Sequence, residues 1–321
     1  MVKAFRQRAF EPRAARFLKF TEARCQNNQE ARCQIARSPL ARRPLQKAFT
    51  GNQFFLTFTT SMENLTFYKY QGAGNDFVLI DNRNGSFDIN QHDLIVKLCD
   101  RRFGIGADGL MLLQNTEGYD FEMVYYNADG QPGSMCGNGG RCIVAFAKQL
   151  GIITEETNFL AVDGPHFAKI SEDGEWVSLQ MIDVETINRD DEAYVMNTGS
   201  PHYVSIVKDV AALNVFELGK EIRNHPNYKQ EGINVNFVED KGEHLQVRTY
   251  ERGVENETFA CGTGATAAAL AMAVENNMMG HNSTPIKVLG GQLNIQFHYN
   301  GNRFSEVFLE GPAQLVFEGK Y

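Results

Sequence analysis

The sequence predicts an α+β protein whose body consists of two similar domains. From Met62 onward, short alternating strands are separated by glycine turns, and few segments have a long helical pattern. Two of the predicted helices follow a Cys-Gly-x-Gly turn, one at Cys136 and one at Cys261. Because these turns and the features before them occur twice in the same order, the pattern indicates an internal duplication.

Strand and helix patterns run along the whole body. Alternating apolar residues predict the strands Phe67–Tyr70, Phe77–Asp81, Phe121–Tyr126, Val177–Met181, Val204–Lys208, Leu245–Tyr250, Leu293–His298 and Glu306–Leu309. Helical spacing predicts Leu94–Arg101, Arg141–Leu150 and Ala265–Glu275. The last two helices begin shortly after the two cysteine turns, so each domain is expected to present one cysteine at a helix N-terminus.

The duplication is visible in the spacing. Gly74 precedes Cys136 by 62 residues, and Gly199 precedes Cys261 by 62 residues. Each cysteine also follows, by about ten residues, a tyrosine with a polar neighbour: Tyr126-Asn127 and Tyr250-Glu251. If the halves pack about a pseudo-twofold axis, the two turns face one another across the domain interface, where a ligand site is expected.

Composition limits the kinds of partner. The 321 residues are 43% hydrophobic, and no apolar run approaches the length of a membrane span, so no membrane partner is expected. Six irregularly spaced cysteines are not a disulfide framework and lack paired CxxC spacing, so we expect individual thiols, a reducing compartment and no metal. From Met62 onward, 19 basic residues face 36 acidic ones, which disfavours nucleic acid and leaves a small molecule as the partner.

Residues 1–61 differ from the body, because they hold twelve basic residues against three acidic ones and lack sustained periodicity. Three interpretations compete: an organelle transit peptide, a disordered basic arm, or a non-native start with translation beginning at Met62. We favour the last, because Met62 lies directly before the first well-patterned strand. The predicted location is then the cytoplasm, and an organelle only if 1–61 is a transit peptide.

The two cysteine turns suggest acid–base chemistry. Unpaired backbone N–H groups and the helix dipole stabilise a thiolate at a helix N-terminus, so the pKa of each thiol is expected to fall. Glycines let the N–H groups approach a carboxylate. With one thiolate removing the α-proton of an amino acid and the opposite thiol returning one, configuration inverts without an electron-sink cofactor. Cys99 and Cys142 are expected to be structural.

At these residues the sequence resembles the diaminopimelate epimerase family over essentially all of 65–319. The motifs that carry the resemblance are Gly72-Ala73-Gly74-Asn75-Asp76-Phe77, Gly104-Ile105-Gly106-Ala107-Asp108-Gly109, Asn127-Ala128-Asp129-Gly130, Met135-Cys136-Gly137-Asn138-Gly139-Gly140-Arg141-Cys142, Gly199-Ser200-Pro201-His202, Gly232-Ile233-Asn234, Tyr250-Glu251-Arg252-Gly253 and Ala260-Cys261-Gly262-Thr263-Gly264. The resemblance implies two pseudo-symmetric domains, each a mainly antiparallel or mixed sheet wrapped around a central helix, and a homodimer. It also implies interconversion of LL- and meso-diaminopimelate, in lysine and peptidoglycan precursor biosynthesis, without a cofactor.

The resemblance implies roles for particular residues. Cys136 and Cys261 would be the two bases. Gly137 and Asn138, with Gly262 and Thr263, would bind the reacting carboxylate. Further substrate contacts are expected at Asn75, Asn127, Asn234, Glu251 and Arg252. His202 and Ser200 are expected to support the site. An arginine and acceptor groups suit the second amino-acid head of diaminopimelate.

Two departures and several alternatives remain. Ser200 stands where the family often has Asn, and the loop 254–258 is one residue longer than the common pattern. The alternatives are a proline or hydroxyproline racemase-type enzyme, a phenazine-biosynthesis-like isomerase, a non-catalytic amino-acid-binding protein and a phosphate-cradling protein. The predicted domains are 62–178 with Cys136 and 179–306 with Cys261, and the last strand, about 307–321, is expected to pack back onto the first.

Overall fold

The computed structural model describes residues 65–321. The predicted basic extension over 1–61 lies outside the described residues. Within 65–321, four helices form: α1 (His92–Cys99), α2 (Gly137–Gln149), α3 (Val215–Arg223) and α4 (Gly262–Glu275). None of these is long and apolar enough to cross a membrane.

The first half of the described chain contributes eight strands. They are β1 (Thr66–Gly72), β2 (Asn75–Asp81), β3 (Gly109–Gln114), β4 (Phe121–Asn127), β5 (Glu156–Ala161), β6 (Gly164–Ile170), β7 (Trp176–Gln180) and β8 (Ile187–Asp190). From β1 to β7, each strand pairs with the next. The six successive pairings are antiparallel, parallel, antiparallel, parallel, antiparallel and antiparallel.

The second half repeats this pattern. Its strands are β9 (Ala193–Asn197), β10 (Pro201–Ile206), β11 (Asn234–Asp240), β12 (Leu245–Glu251), β13 (Asn256–Thr258), β14 (Gly280–Val288), β15 (Gly291–Tyr299), β16 (Phe304–Pro312) and β17 (Gln314–Lys320). From β9 to β16, with the short β13 set aside, the pairings follow the same order of antiparallel and parallel contacts. The predicted α+β duplication is therefore confirmed.

The helices occupy equivalent places in the two halves. α1 and α3 follow the second strand of each half, whereas α2 and α4 follow the fourth. α2 is buried from Gly137 to Ala147, and α4 is buried at nearly every position from Gly262 to Ala273. A helix that is buried on all sides lies in the middle of a core. The strands of each half thus wrap around one central helix, and the N-terminus of that helix follows a cysteine.

Strands cross between the halves. β8 ends the first half but pairs with β9, and β17 ends the second half but pairs with β1. β7 also pairs with β16, so one sheet runs continuously through both halves. We propose a domain division near residues 178 and 179, within β7, which pairs with both β6 and β16. We also propose that the last strand returns to the first domain.

The eight strands and three helices predicted from the sequence overlap observed elements. Helix α3 was not predicted. It contains Gly219, which breaks a helical pattern locally. A β-carbon at Gly219 would lie 2.4 Å from Cβ of Tyr250, so the helix approaches β12 at this glycine. Tertiary packing therefore requires glycine at position 219, and the same glycine makes the helix difficult to predict from the sequence.

Candidate active site

Cys136 and Cys261 are the N-cap residues of α2 and α4. Their backbone angles are nearly the same, with φ/ψ of −116°/126° and −117°/110°. Each cysteine carbonyl accepts the first helical hydrogen bond, from Gly140 at 2.7 Å and from Ala265 at 2.8 Å. The N–H groups of residues 137–139 and 262–264 therefore lie before the first helical bond, where helix N-termini bind anions. In the ligand-free protein those of Asn138, Gly139 and Gly264 bond the cysteine sulfurs.

The two helix N-termini meet at glycines. A β-carbon at Gly137 would lie 3.8 Å from Cα of Gly262, and both glycines face Cδ2 of Leu309. The first turns of α2 and α4 are thus in contact, and they bring together two cysteines that are 125 residues apart in the chain. Cys261 is buried and Cys136 is partly exposed.

The predicted fall in the pKa of the two thiols is wrong for the ligand-free protein. Burial raises the pKa of Cys136, against N–H bonds from Gly139 and Asn138 that lower it. Burial raises the pKa of Cys261 further, and the nearby Glu251 carboxylate adds to the rise. Removal from water outweighs the effect of the helix N-termini on both thiols, and at Cys136 it also outweighs the smaller opposing effect of the Arg141 charge.

Glu251 lies between the second cysteine and β13. Its carboxylate accepts a hydrogen bond from the Thr258 hydroxyl and interacts with the Cys261 thiol. Burial raises the pKa of Glu251, so this carboxylate is a better proton acceptor than an exposed one. It is placed to exchange a proton with Cys261.

A hydrogen-bonded chain leads from Cys261 into the second domain. The Cys261 sulfur lies 3.5 Å from Oγ1 of Thr263, which lies 2.9 Å from Nε2 of His202. His202 is fully buried, and this burial lowers its pKa to about 3, with Arg252 contributing. The imidazole is therefore neutral at physiological pH, and its effect on Cys261 is transmitted through Thr263.

Asn236 determines which nitrogen of His202 carries the proton. Its side-chain nitrogen donates to the Tyr203 carbonyl at 3.1 Å and lies 3.0 Å from Nδ1 of His202. Its oxygen accepts from the Thr249 hydroxyl at 2.9 Å, and the bond to the Tyr203 carbonyl fixes the orientation of the amide. Nδ1 of His202 is therefore an acceptor and Nε2–H donates to Thr263, whose hydroxyl can donate to the Cys261 sulfur.

On the first-domain side, Asn138 and Asn75 are directly bonded. Nδ2 of Asn138 donates to Oδ1 of Asn75 at 2.6 Å, and Nδ2 of Asn75 donates to Asp108 at 2.8 Å. Asp108 in turn binds Arg101 at 2.6 Å. A charged network thus orients the amide that reaches the N-terminus of α2.

The remaining predicted contacts form a second group. Nδ2 of Asn234 donates to the Ser200 hydroxyl at 3.0 Å, and its oxygen accepts from the backbone N–H of Arg252 at 3.0 Å. The Arg252 guanidinium donates to the Glu231 carbonyl at 3.0 Å. Asn127 is exposed at the end of β4 and makes no side-chain hydrogen bond to this group or to the cysteines within the described residues.

Sequence reasoning assigned no role to Asn236 or Arg141. Asn236 lies two positions after Asn234, so both share one face of β11. Arg141 is a charged residue among the small and apolar residues of α2, and it is fully buried. In both cases, a polar residue inside an apolar pattern was the signal from which the role could have been predicted.

No group of three or more His, Cys, Asp or Glu residues within 65–321 is arranged to hold a metal ion.

The duplicated α+β fold of the described chain is shared by epimerases and by phenazine biosynthesis proteins of known structure. Solved structures with this fold include a PhzF-family phenazine biosynthesis protein from Bacillus anthracis, with a TM-score of 0.64 and 14% identity over 81% of this chain and 99% of that one. A hydroxyproline epimerase from Agrobacterium vitis has a TM-score of 0.56 and 15% identity, over 80% and 92% of the two chains. At such identities these likenesses define the fold alone.

The family follows from sequence comparison. Residues 67–187 and 194–316 match the sequence model of diaminopimelate epimerase. The chain is 52% identical to the diaminopimelate epimerase of Flavobacterium psychrophilum, over 78% of this chain and 98% of the relative. It is 39% identical to that of Aquifex aeolicus, over 80% and 97%. The chain belongs to the diaminopimelate epimerase family, as the sequence motifs predicted.

Proposed function

We propose that this chain interconverts LL- and meso-2,6-diaminopimelate by proton transfer between Cys136 and Cys261 at the substrate Cα. The observation that carries the proposal is the contact between the N-termini of α2 and α4, each with a cysteine at its N-cap. An amino acid bound between the two turns would have one sulfur on either face of its Cα.

The reacting carboxylate would bind between the two helix N-termini. The N–H groups of residues 137–139 and 262–264, which make no helical hydrogen bond, and the positive ends of both helix dipoles favour an anion there. As the α-proton leaves, negative charge moves onto the carboxylate oxygens. Fixed dipoles then stabilise the transition state more than the ground state, which lowers the barrier.

The proton transfers balance across the two sulfurs. In one direction the Cα–H bond breaks and a new S–H bond forms at the thiolate, while the opposite S–H bond breaks and a new Cα–H bond forms on the other face. Because both thiols of the ligand-free protein have raised pKa values, one must first lose its proton. Glu251 is the acceptor available to Cys261.

The polar residues Arg252, Asn234 and Ser200 would bind the second amino-acid head of the substrate. Arg252 supplies a cation for the distal carboxylate, and the Asn234–Ser200 pair supplies neutral donors and acceptors. A substrate with one charged head, such as proline, would leave these residues without a function. This supports the two-headed substrate over the racemase alternative.

The test is proton NMR of the full chain incubated with LL-diaminopimelate in D₂O without added cofactor. We expect the meso isomer to appear with deuterium at Cα, and Cys136→Ala or Cys261→Ala to abolish it. α-Proton exchange of proline, with diaminopimelate unchanged, would support the racemase alternative. Binding of diaminopimelate without exchange, in reduced protein, would support a binding protein.

We also propose a homodimer that forms through β17. This strand pairs with β1 and with no other strand of the described chain. Its residues Leu315, Val316 and Phe317 are 43%, 55% and 45% exposed, and an unpaired apolar edge strand is a pairing surface. Val316→Lys should shift the sedimentation coefficient from dimer to monomer, whereas Val162→Lys, at a site 73% exposed elsewhere, should not. A monomeric wild type would contradict the proposal.

We propose that the enzyme works in the cytoplasm. Its four described cysteines, Cys99, Cys136, Cys142 and Cys261, are free thiols. Free thiols of this kind persist in reducing compartments. Imaging of a C-terminally tagged full chain in its own cell would test this location, and accumulation outside the cytoplasm would contradict it.

A further inference from the structure

Arg141 is a buried cation without an anionic partner. It is the largest fully buried side chain of the described residues, with 0% exposure. Its guanidinium donates to Oδ1 of Asn138 at 2.9 Å, to the Gly137 carbonyl at 3.3 Å and to the Pro312 carbonyl at 3.4 Å. All three acceptors are uncharged, and no carboxylate within 65–321 forms an ion pair with it.

Two other shielded cations of the described chain, Lys69 and Arg248, are paired. Lys69 is 7% exposed and contacts Asp76 at 2.7 Å, and Arg248 is 18% exposed and contacts Glu257 at 2.6 Å. An unpaired buried charge is unfavourable, and even buried ion pairs can often be replaced by apolar residues of similar volume without loss of stability. The charge of Arg141 therefore calls for an explanation other than folding.

The position of Arg141 indicates where its counter-charge would be. It lies behind the first turn of α2 and binds both residues that follow Cys136, namely Gly137 and Asn138. Backbone packs closely on its other side, because a β-carbon at Gly311 would lie 3.2 Å from its Nε. The thiols that interact with Arg141 are those of Cys142 and Cys136. Burial raises the pKa of Cys142 to about 12, so Cys142 stays neutral at physiological pH. The groups left to supply the counter-charge are the Cys136 sulfur, once ionised, and an anion bound at the helix N-termini.

We propose that Arg141 is a positioning residue that holds the first turn of α2 and supplies the positive charge against which the reacting carboxylate binds and the Cys136 thiolate forms. The carboxylate part of this inference rests on the proposed function. Arg141 does not touch the substrate. It acts through Asn138, whose Nδ2 also reaches Asn75 at 2.6 Å and the Ala260 carbonyl at 3.3 Å, and through its field in a site removed from water.

The effect on Cys136 has independent support. Burial raises the pKa of Cys136, and the charge of Arg141 lowers it. Burial lowers the pKa of Arg141 itself, and the sulfurs of Cys142 and Cys136 oppose this. The two groups therefore stabilise each other when Cys136 is ionised.

The test compares three substitutions in the full chain. Arg141→Lys keeps the charge and loses the forked donor, Arg141→Gln keeps a donor and loses the charge, and Arg141→Met loses both. For each variant, peptide mass spectrometry follows alkylation of Cys136 by iodoacetamide against pH without substrate. kcat, KM and the thermal midpoint are measured alongside. Arg303→Met is the control, because Arg303 is an exposed cation paired with Asp183.

We expect Arg141→Gln and Arg141→Met to raise the apparent pKa of Cys136 alkylation by about one unit. We also expect these two variants to lower kcat/KM by about 100-fold. Their thermal midpoints should equal or exceed that of the wild type, because a buried charge has been removed. Arg141→Lys should keep the alkylation pKa near the wild-type value and retain more activity, and Arg303→Met should change none of these.

The proposal is wrong if Arg141→Met and Arg141→Gln leave the pH dependence of alkylation unchanged. It is also wrong if these variants fail to fold, or if their thermal midpoints fall in parallel with their activity, because Arg141 would then serve to stabilise the fold. Since alkylation needs no substrate, its result is decisive for the thiolate role even if diaminopimelate is not epimerised. Failure of the wild type to turn over diaminopimelate would instead contradict the proposed function.

Discussion

Gly137 and Gly262 lie against each other where the two central helices begin, with 3.8 Å between a β-carbon added at Gly137 and Cα of Gly262. The positive ends of two helix dipoles therefore meet at one point. Like ends repel, and an anion between them relieves the repulsion. The contact both creates the anion site and limits how far apart the two cysteines can lie.

Gly137→Ala and Gly262→Ala should damage the site. The added methyl group would lie 2.7 Å from Cδ2 of Leu309 in either case, so this fully buried side chain must move and the packing around the two helix N-termini must change. We expect a loss of about 1–3 kcal/mol in the free energy of unfolding and of about 100-fold in kcat/KM. Gly139→Ala is the control, because its nearest neighbour is the flexible Met111 sulfur at 3.3 Å. Equal activity in all three variants would contradict the role of the contact.

Glu251→Gln should separate thiol reactivity from turnover. After burial, the Glu251 carboxylate is the next cause of the raised pKa of Cys261, so its removal should lower that pKa. We expect Cys261 to be alkylated about tenfold faster at pH 8, while turnover falls by at least about 100-fold because the proton acceptor is lost. Glu255→Gln is the matched control, since Glu255 pairs with Arg223 at 3.2 Å. Slower alkylation of Cys261 in Glu251→Gln would contradict this assignment.

The tautomer of His202 should depend on Asn236. In Asn236→Asp, a carboxylate would favour a proton on Nδ1 of His202 and raise its pKa above the present value of about 3. Long-range ¹H–¹⁵N NMR of the imidazole should report Nε2–H in the wild type and protonated Nδ1 in the variant. We expect kcat to fall about tenfold or more, because Thr263 no longer receives the Nε2–H donor.

Thr249→Val provides the control for this experiment. It removes the Thr249 donor to Asn236 but leaves the bond from Asn236 to the Tyr203 carbonyl, so the amide keeps its orientation. The His202 tautomer should not change in this variant. A wild-type imidazole protonated at Nδ1 would show that Asn236 does not direct the proton.

Asp76→Asn should destabilise the first domain in a pH-dependent way. Burial alone would raise the pKa of Asp76, but hydrogen bonds from Arg101 and Lys69 lower it to about 2. The folded pKa lies below the unfolded value of 3.8, so the ionised carboxylate stabilises the fold fully above about pH 4 and loses this effect as pH falls toward 2. The shift corresponds to about 2 kcal/mol at pH 7.

Urea unfolding at pH 7 and at pH 3 measures this difference. The gap between wild type and Asp76→Asn should be smaller at pH 3. Asp183→Asn is the control, because the exposed pair with Arg303 should contribute under about 1 kcal/mol. A gap that does not change with pH would mean that the loss arises from packing rather than from charge.

The predictions from the sequence succeeded where the signal is local. Gly74 and Gly199 have φ of 96° and 108°, and each lies in the turn between the first two strands of its half. A tight turn that needs a left-handed residue, and a helix that starts after a Cys-Gly-x-Gly turn, depend on neighbours in the chain. The duplication could be predicted for this reason, whereas α3 was missed because Gly219 fits a distant strand.

The amino-acid sequence by itself determined the duplicated fold, the family and the location of two thiols at helix N-termini. Only the tertiary structure decided the chemical state of those thiols, because burial raises their pKa against the local effect of the helix N-termini. The tertiary structure also decided the partners of His202 and the isolation of Arg141. These features depend on contacts between residues that are far apart in the chain, such as Asn138 and Ala260, which are separated by 122 positions. Desolvation, in turn, depends on all the residues that pack around a group.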